Sequence, residues 1–179
     1  MIWLVLRSRT FARTNYQIDE AELGIGSQKI KIKPSYEDIQ IAYKLWVELS
    51  TRKIGLPIDF EHDVIVEIYD SWYEFFTLTR DLIKGIPISR ARRQDSTRKL
   101  IRLSIAVLNE GLRPHLTRWN ARFRRWYQNE SAKEGNELVS PQELQPHYPE
   151  FDKLRSEMEA VNKNLIKYRG EMRKLAFGE

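Results

Sequence analysis

Apolar residues recur along this chain at two periods, and the change of period divides it. Up to residue 33 the period is two. Tyr16 and Ile18, then Leu23 and Ile25, are apolar at that spacing, and Lys29-Ile30-Lys31-Ile32-Lys33 alternates without a fault. Such alternation gives a strand one apolar and one polar face. Gly24, Gly26 and Ser27 supply turn chemistry between the last two runs. Residues 1–33 therefore read as a strand segment closing in a β-hairpin, with lysines protecting an open edge. The Gly-x-Gly of that turn lacks a third glycine, a Gly-Lys-Ser/Thr and a following helix, so it is not a phosphate loop. Met1–Leu6 reads as a buried first strand. It falls short of the ~20 apolar residues of a membrane span. Arg7 and Arg9 follow it, which is also how the cytoplasmic end of an anchor upstream of Met1 would look.

From residue 34 the period lengthens to that of a helix. Ser35, with Asp38 three residues on, signals a helix start after Pro34. Ile39, Ala42, Trp46 and Leu49 form the stripe of a first helix, widened by Ile41 and Leu45 and ended by Gly55 and Pro57. A second helix is expected from Asp59–Asp63 to Lys84, with Ile65, Ile68, Trp72, Phe76, Thr79 and Ile83 on one side. A third begins near Asp95 or Ser96. Its stripe is Ile101, Ile105, Leu108, Leu112, Leu116, Trp119, Phe123 and Trp126, with one residue too many between Leu112 and Leu116. Gly111 and Pro114 fall in that interval and predict a kink near 110–114. A polar loop follows, in which Ser140, Pro141 and Glu143 form a short capped turn. The last helix carries Phe151, Leu154, Met158, Val161, Leu165, Tyr168, Met172 and Leu175 in a strict heptad. Its expected partner is the third helix, packed antiparallel; a homodimeric coiled coil is the rival.

These elements predict a mainly α fold: a four-helix up-and-down bundle with two long C-terminal helices, plus a small N-terminal β-hairpin. The expected divisions are the hairpin at 1–33, a three-helix core at 34–129, a polar loop at 130–149 and the heptad helix at 150–179, in one compact unit.

Charge adds an asymmetry that the periods do not show. The net charge of +5 means little, but residues 34–83 carry four Lys/Arg against ten acids and residues 84–125 carry twelve against two. Such polarisation speaks of partners or of self-docking. The absence of cysteine removes disulfides, thiolate metal sites and thiol nucleophiles.

Two candidate surfaces follow. Asp63, Glu67, Asp70 and Glu74 recur at helical spacing opposite the apolar stripe of the second helix, a candidate acidic face. Their ordinary reading is a solvated face, and the Glu-x-x-His partner of a di-iron site is missing. The candidate basic face comprises Arg90, Arg92, Arg93, Arg98, Arg102, Arg118, Arg122 and Arg125. Its densest part, Gly111–Gln128, holds five arginines, two tryptophans and no acid. Arginines neutralise phosphates and aromatics stack on bases, so nucleic acid is one reading. An anionic membrane surface is another. The structural alternative puts Trp119, Phe123 and Trp126 in the core and pairs the arginines with acids of the second or last helix. His62, His115 and His147 lie in different segments, none at metal-ligand spacing, and no nucleophile motif is present. No catalytic residue, metal or cofactor is predicted. The function expected first is a non-enzymatic intracellular interaction or scaffold module working by protein contact or self-association, with the cytoplasmic part of a membrane-anchored assembly as one setting for it. A nucleic-acid-binding helical domain is the alternative, and an enzyme whose site assembles only in three dimensions is the third.

Overall fold

The computed structural model describes the backbone of residues 21–25 and 28–178, and the side chains from Lys33 to Gly178. The strand expected at Met1–Leu6, Tyr16, Ile18 and the turn residues Gly26 and Ser27 lie outside the described residues. The described chain is mainly helical. Ahead of the helices, Ala21–Ile25 (β1) is paired antiparallel with Gln28–Ile32 (β2), Leu23 opposite Ile30.

Four long helical rods make the body. Helix α1 spans Tyr36–Thr51 and α2 spans Ile65–Lys84; the short α3, Ile88–Arg93, leads into the third rod. That rod runs as α4 (Asp95–Ala106), a π turn (Val107–Leu112), α5 (Arg113–His115), a second π turn (Leu116–Asn120) and α6 (Ala121–Ser131). The single turn α7, Pro141–Leu144, precedes α8 at Phe151–Phe177. Contacts between neighbouring rods run in opposite order. Asp70 of α2 meets Arg124, while Phe76 meets Arg113. Ser104 and Trp119 meet Tyr168 and Glu157 of α8. Tyr43 meets Phe177, while Asn162 reaches the chain just past α1. In each pair one number rises as the other falls, so neighbours lie antiparallel.

The heptad stripe of α8 is consumed inside this chain. Leu154, Met158, Leu165, Tyr168, Met172 and Leu175 are all buried. Each such side chain contributes about 1.5–3 kcal/mol on burial, against roughly 0.2–0.5 kcal/mol for a surface i,i+4 pair. Apolar packing therefore decides the partner. The chief partner is α1, whose Ala42, Leu45 and Leu49 are fully buried, where the sequence pointed to the third rod, which α8 also touches. The stripe is not left open for a coiled-coil dimer.

Three buried polar side chains fasten loops to helices. Ser35 and Asp38 form the predicted capping box on α1. Asp38 also accepts hydrogen bonds from Ser96 and Thr97, both at 2.6 Å, so one carboxylate caps α1 and holds the start of α4. Helix α2 begins at Ile65, later than expected, and has no side-chain cap of its own. Gln145 accepts from the Ile65 amide at 3.1 Å and donates to the Asp63 carbonyl at 3.0 Å, capping α2 from 80 residues away. Asn162 donates to the carbonyls of Lys53, Ile54 and Leu56 and ties the α1–α2 connection to α8.

The stripe of the third rod differs from expectation in its first half. Leu100, Leu103 and Val107 are buried, whereas Ile105 is 44% exposed. Each π turn takes about one residue more than an α turn, so side chains beyond it rotate by roughly 100°. Counting back from Trp119 at an α period therefore misses the face. The irregularity expected near 110–114 is these turns: the Arg113 amide bonds the Leu108 carbonyl, and Pro114 stands between the two π segments.

Candidate interaction surface

The arginine-rich stretch works mostly inward. Trp119 and Phe123 are fully buried and Trp126 packs partly buried against the core. Rings so placed cannot stack on bases. Trp119 donates its indole N–H to Glu157 at 2.6 Å, and Arg118 bonds the other oxygen of that carboxylate at 3.1 Å. Arg118 and Arg122 both lie over the Trp119 ring, 5.1 and 5.5 Å from its centroid. Arg122 pairs with Glu150, and Arg124 pairs with Asp70 and donates to the Val66 carbonyl at 3.1 Å. Burial of the rings on one side of the helix is what brings the flanking arginines against α2 and α8.

The acidic candidates are largely engaged in return. Asp63 precedes α2 instead of lying on it; it accepts from the Asp59 amide at 2.8 Å and pairs with Lys53 at 2.8 Å. Asp70 holds Arg124 and Glu74 holds Arg52, while Glu67 is exposed. The Glu74 and Glu48 carboxylates raise the Arg52 pKa above its ordinary value. A stripe of four free carboxylates therefore does not form. The reason is that Gln145 starts α2 only at Ile65, and that Arg52 and Arg124 come from neighbouring rods.

The rest of the basic set divides. Arg90 pairs with Glu37, and Arg98 with Asp95 at 3.1 Å. Arg92, Arg93, Arg102 and Arg125 are exposed, with no ion-pair partner among the described residues. Antiparallel packing then sorts charge by end. One end gathers the start of α1 with Glu37 and Asp38, the α2 terminus, α3, the start of α4 and the end of α8. There residues 77–105 carry eight Lys/Arg against two acids and residues 163–178 carry five against one. The other end gathers the α1–α2 and α6–α8 connections and the start of α8. There residues 129–159 carry eight acids against three Lys/Arg and residues 52–64 three against two, with Glu150 and Glu157 paired to Arg122 and Arg118.

That acidic end contains an open cleft of about 690 Å³. Ile58, Phe60 and Phe151 give it an apolar floor, with Phe60 and Phe151 edge to face at 6.4 Å. Asp59, Glu61, Glu143 and Glu159 line its rim. Its arginine, Arg155, lies over Phe60 and pairs with Glu159 at 3.0 Å. Asp59 and His62 pair at 2.7 Å; this hydrogen bond lowers the pKa of the carboxyl and raises that of the imidazole. Donor atoms of Asp59, Glu61 and His62 lie within 4.8 Å of one another, which cation ligation would require, but all three residues are exposed and two already satisfy each other.

Two features had no clear signal in the sequence. The first is an aromatic trio near the basic end. Trp46 and Phe177 meet edge to face at 5.0 Å, and Tyr43 stands 6.1 Å from each. Tyr43 is 44% and Phe177 46% exposed. Trp46 and Phe177 wall a shallow cleft with Ser50, Arg169 and Arg173. The second is His115. It is buried, shares a 3.1 Å hydrogen bond with the Tyr69 hydroxyl through Nε2, and leaves Nδ1 without a partner; the buried Trp72 Nε1 also lacks one. Burial pushes the His115 pKa down to about 4.

No protein-family model matches this chain, and neither a curated protein nor a solved structure does. Among the described residues no helix is long and apolar enough to cross a membrane.

Proposed function

We propose that the chain is a non-enzymatic interaction module: an up-and-down four-helix bundle with a small N-terminal β-hairpin, working by protein–protein contact. The observation that carries this reading is the pair of half-exposed rings Tyr43 and Phe177 set against the partly buried Trp46. Contiguous exposed aromatics are unusual on a soluble surface, and Tyr, Trp and Arg dominate the energetic centres of protein interfaces. Arg169 and Arg173 border this trio. The nucleic-acid reading of Gly111–Gln128 loses the stacking of Trp119 and Phe123, whose rings are buried.

The test is co-purification of the tagged full chain from its native cells, compared with Tyr43→Ser/Phe177→Ser. Both side chains are half exposed, so the variant should retain its helical circular dichroism. Loss of a stoichiometric protein partner is the expected result. An unchanged partner set, or retention of nucleic acid alone in a salt-sensitive manner, overturns the reading.

A further inference from the structure

We propose that this chain associates end to end with a second copy of itself, α3 of one molecule seating in the acidic cleft of the next. The proposal rests on the interaction-module reading and names one partner for it, at a surface separate from the aromatic trio.

Three observations carry it. The first is the polarity of the molecule, with acids gathered at one end and Lys/Arg at the other. Ion pairs between the rods engage Asp70, Glu74, Glu150 and Glu157, whereas Glu61 and Glu143 of the rim pair with no Lys or Arg among the described residues. The second is a match of shape and chemistry. The cleft has an apolar floor of Ile58, Phe60 and Phe151 under an acidic rim that includes Glu61 and Glu143. Helix α3 offers the complement: Ile88 is 69% exposed, and Arg92, one helical turn on, shares its face beside Arg93. The Arg90–Glu37 pair fixes α3 to α1 from its other side, so this face is held outward. The third is distance. Helix α2 starts beside the cleft and ends beside α3, and its 20 residues separate the two by about 30 Å. A molecule cannot fill its own cleft with its own α3.

The contact is heterologous, since a patch on one copy meets a different patch on the next. Such contacts build chains or rings, not closed two-fold dimers. Opposed charges at an exposed rim are screened by salt, so association weakens as ionic strength rises.

Sedimentation velocity of the full chain over a concentration series tests this directly. At low ionic strength the average mass should climb past that of a dimer. A roughly tenfold rise in salt should weaken association tenfold or more. Two variants neutralise one side each. Arg92→Gln/Arg93→Gln removes the charge of α3, and Glu61→Gln/Glu143→Gln removes that of the rim; glutamine preserves the capping box between residues 140 and 143. Each variant alone should be monomeric. Mixed one to one, they should form a dimer that grows no further, because each brings one intact half of a single junction. A wild-type chain that stays monomeric at low salt overturns the proposal, as does assembly that survives either variant or a mixture that fails to pair. A monomer that binds a labelled oligonucleotide through Arg92 and Arg93 also overturns it, and assigns the basic end to nucleic acid. Failure here with loss of a partner in the aromatic variant leaves the broader reading standing.

Discussion

Acid should destabilise this protein through His115, and one substitution isolates the effect. The imidazole is 3% exposed, Nδ1 has no partner, and Tyr69 and Trp72 pack beside it at 5.8 and 5.5 Å between ring centroids. Desolvation is the main cause that lowers its pKa from 6.5 to about 4; Arg118 adds to it and Glu157 opposes it. In the unfolded chain the same group titrates near 6.5. Below that pH the unfolded chain takes up a proton that the folded chain refuses, so stability falls as pH drops from about 6.5 to about 4 and then levels off for this group. Near pH 4.5 the loss amounts to about 2–3 kcal/mol. Carboxylates titrate over part of the same range, so the measurement must be differential. His115→Gln retains a polar partner for Tyr69 and has no titration. Urea unfolding followed by circular dichroism at about pH 7 and pH 4.5 should show the wild type losing about 2–3 kcal/mol more than the variant between the two conditions. Equal losses would show that His115 is not held neutral inside the fold.

Three further substitutions test the packing. Trp119→Ala should cost about 3–5 kcal/mol in chemical denaturation, because it empties a fully buried site and removes the indole N–H that donates to Glu157. Arg122→Glu, on a half-exposed side chain, should cost about 1 kcal/mol or less in the same assay. Gly55→Ala should destabilise by about 1–3 kcal/mol in thermal unfolding, since the added Cβ would lie 2.1 Å from the Leu49 carbonyl oxygen, a backbone atom that cannot turn aside.

What the sequence made legible were features carried by neighbours in the chain. The α1 capping box, the Ser140–Glu143 cap and the apolar stripe of α8 depend on residues three or four apart, and each is present. What it hid depends on distant residues. Asp38 reads as a cap, yet it also binds Thr97, 59 residues on. Gln145 stands in a polar loop and reads as solvent-facing, yet it caps α2 from 80 residues away. Asn162 sits beside Val161 in the heptad, and only its three carbonyl partners explain a buried amide there. Tyr69 and Phe75 were absent from the expected α2 stripe and are fully buried, because α2 faces more than one rod and buries a wider arc than one stripe. The two π turns left a trace in the phase slip at Leu112–Leu116, but a slip alone does not say that Ile105 turns outward.

The arginines show how charge layout in sequence differs from charge layout in space. Residues 84–125 form one basic block along the chain. Folding divides it. Arg118, Arg122 and Arg124 are drawn against Glu157, Glu150 and Asp70 because the rings between them are buried. Exposed pairs of this kind contribute about 0–1 kcal/mol each, too little to drive folding against the apolar core. Their larger effect is to remove charge from the sides of the molecule. Arg92, Arg93 and Arg102 come earlier in the block, where no acid of a neighbouring rod reaches them. The acids that would match them, Glu61 and Glu143, lie at the far end of the same molecule. Charge left unmatched at opposite ends of one molecule has a complement on a second copy, which ties the proposed end-to-end contact to the fold and not to the linear sequence.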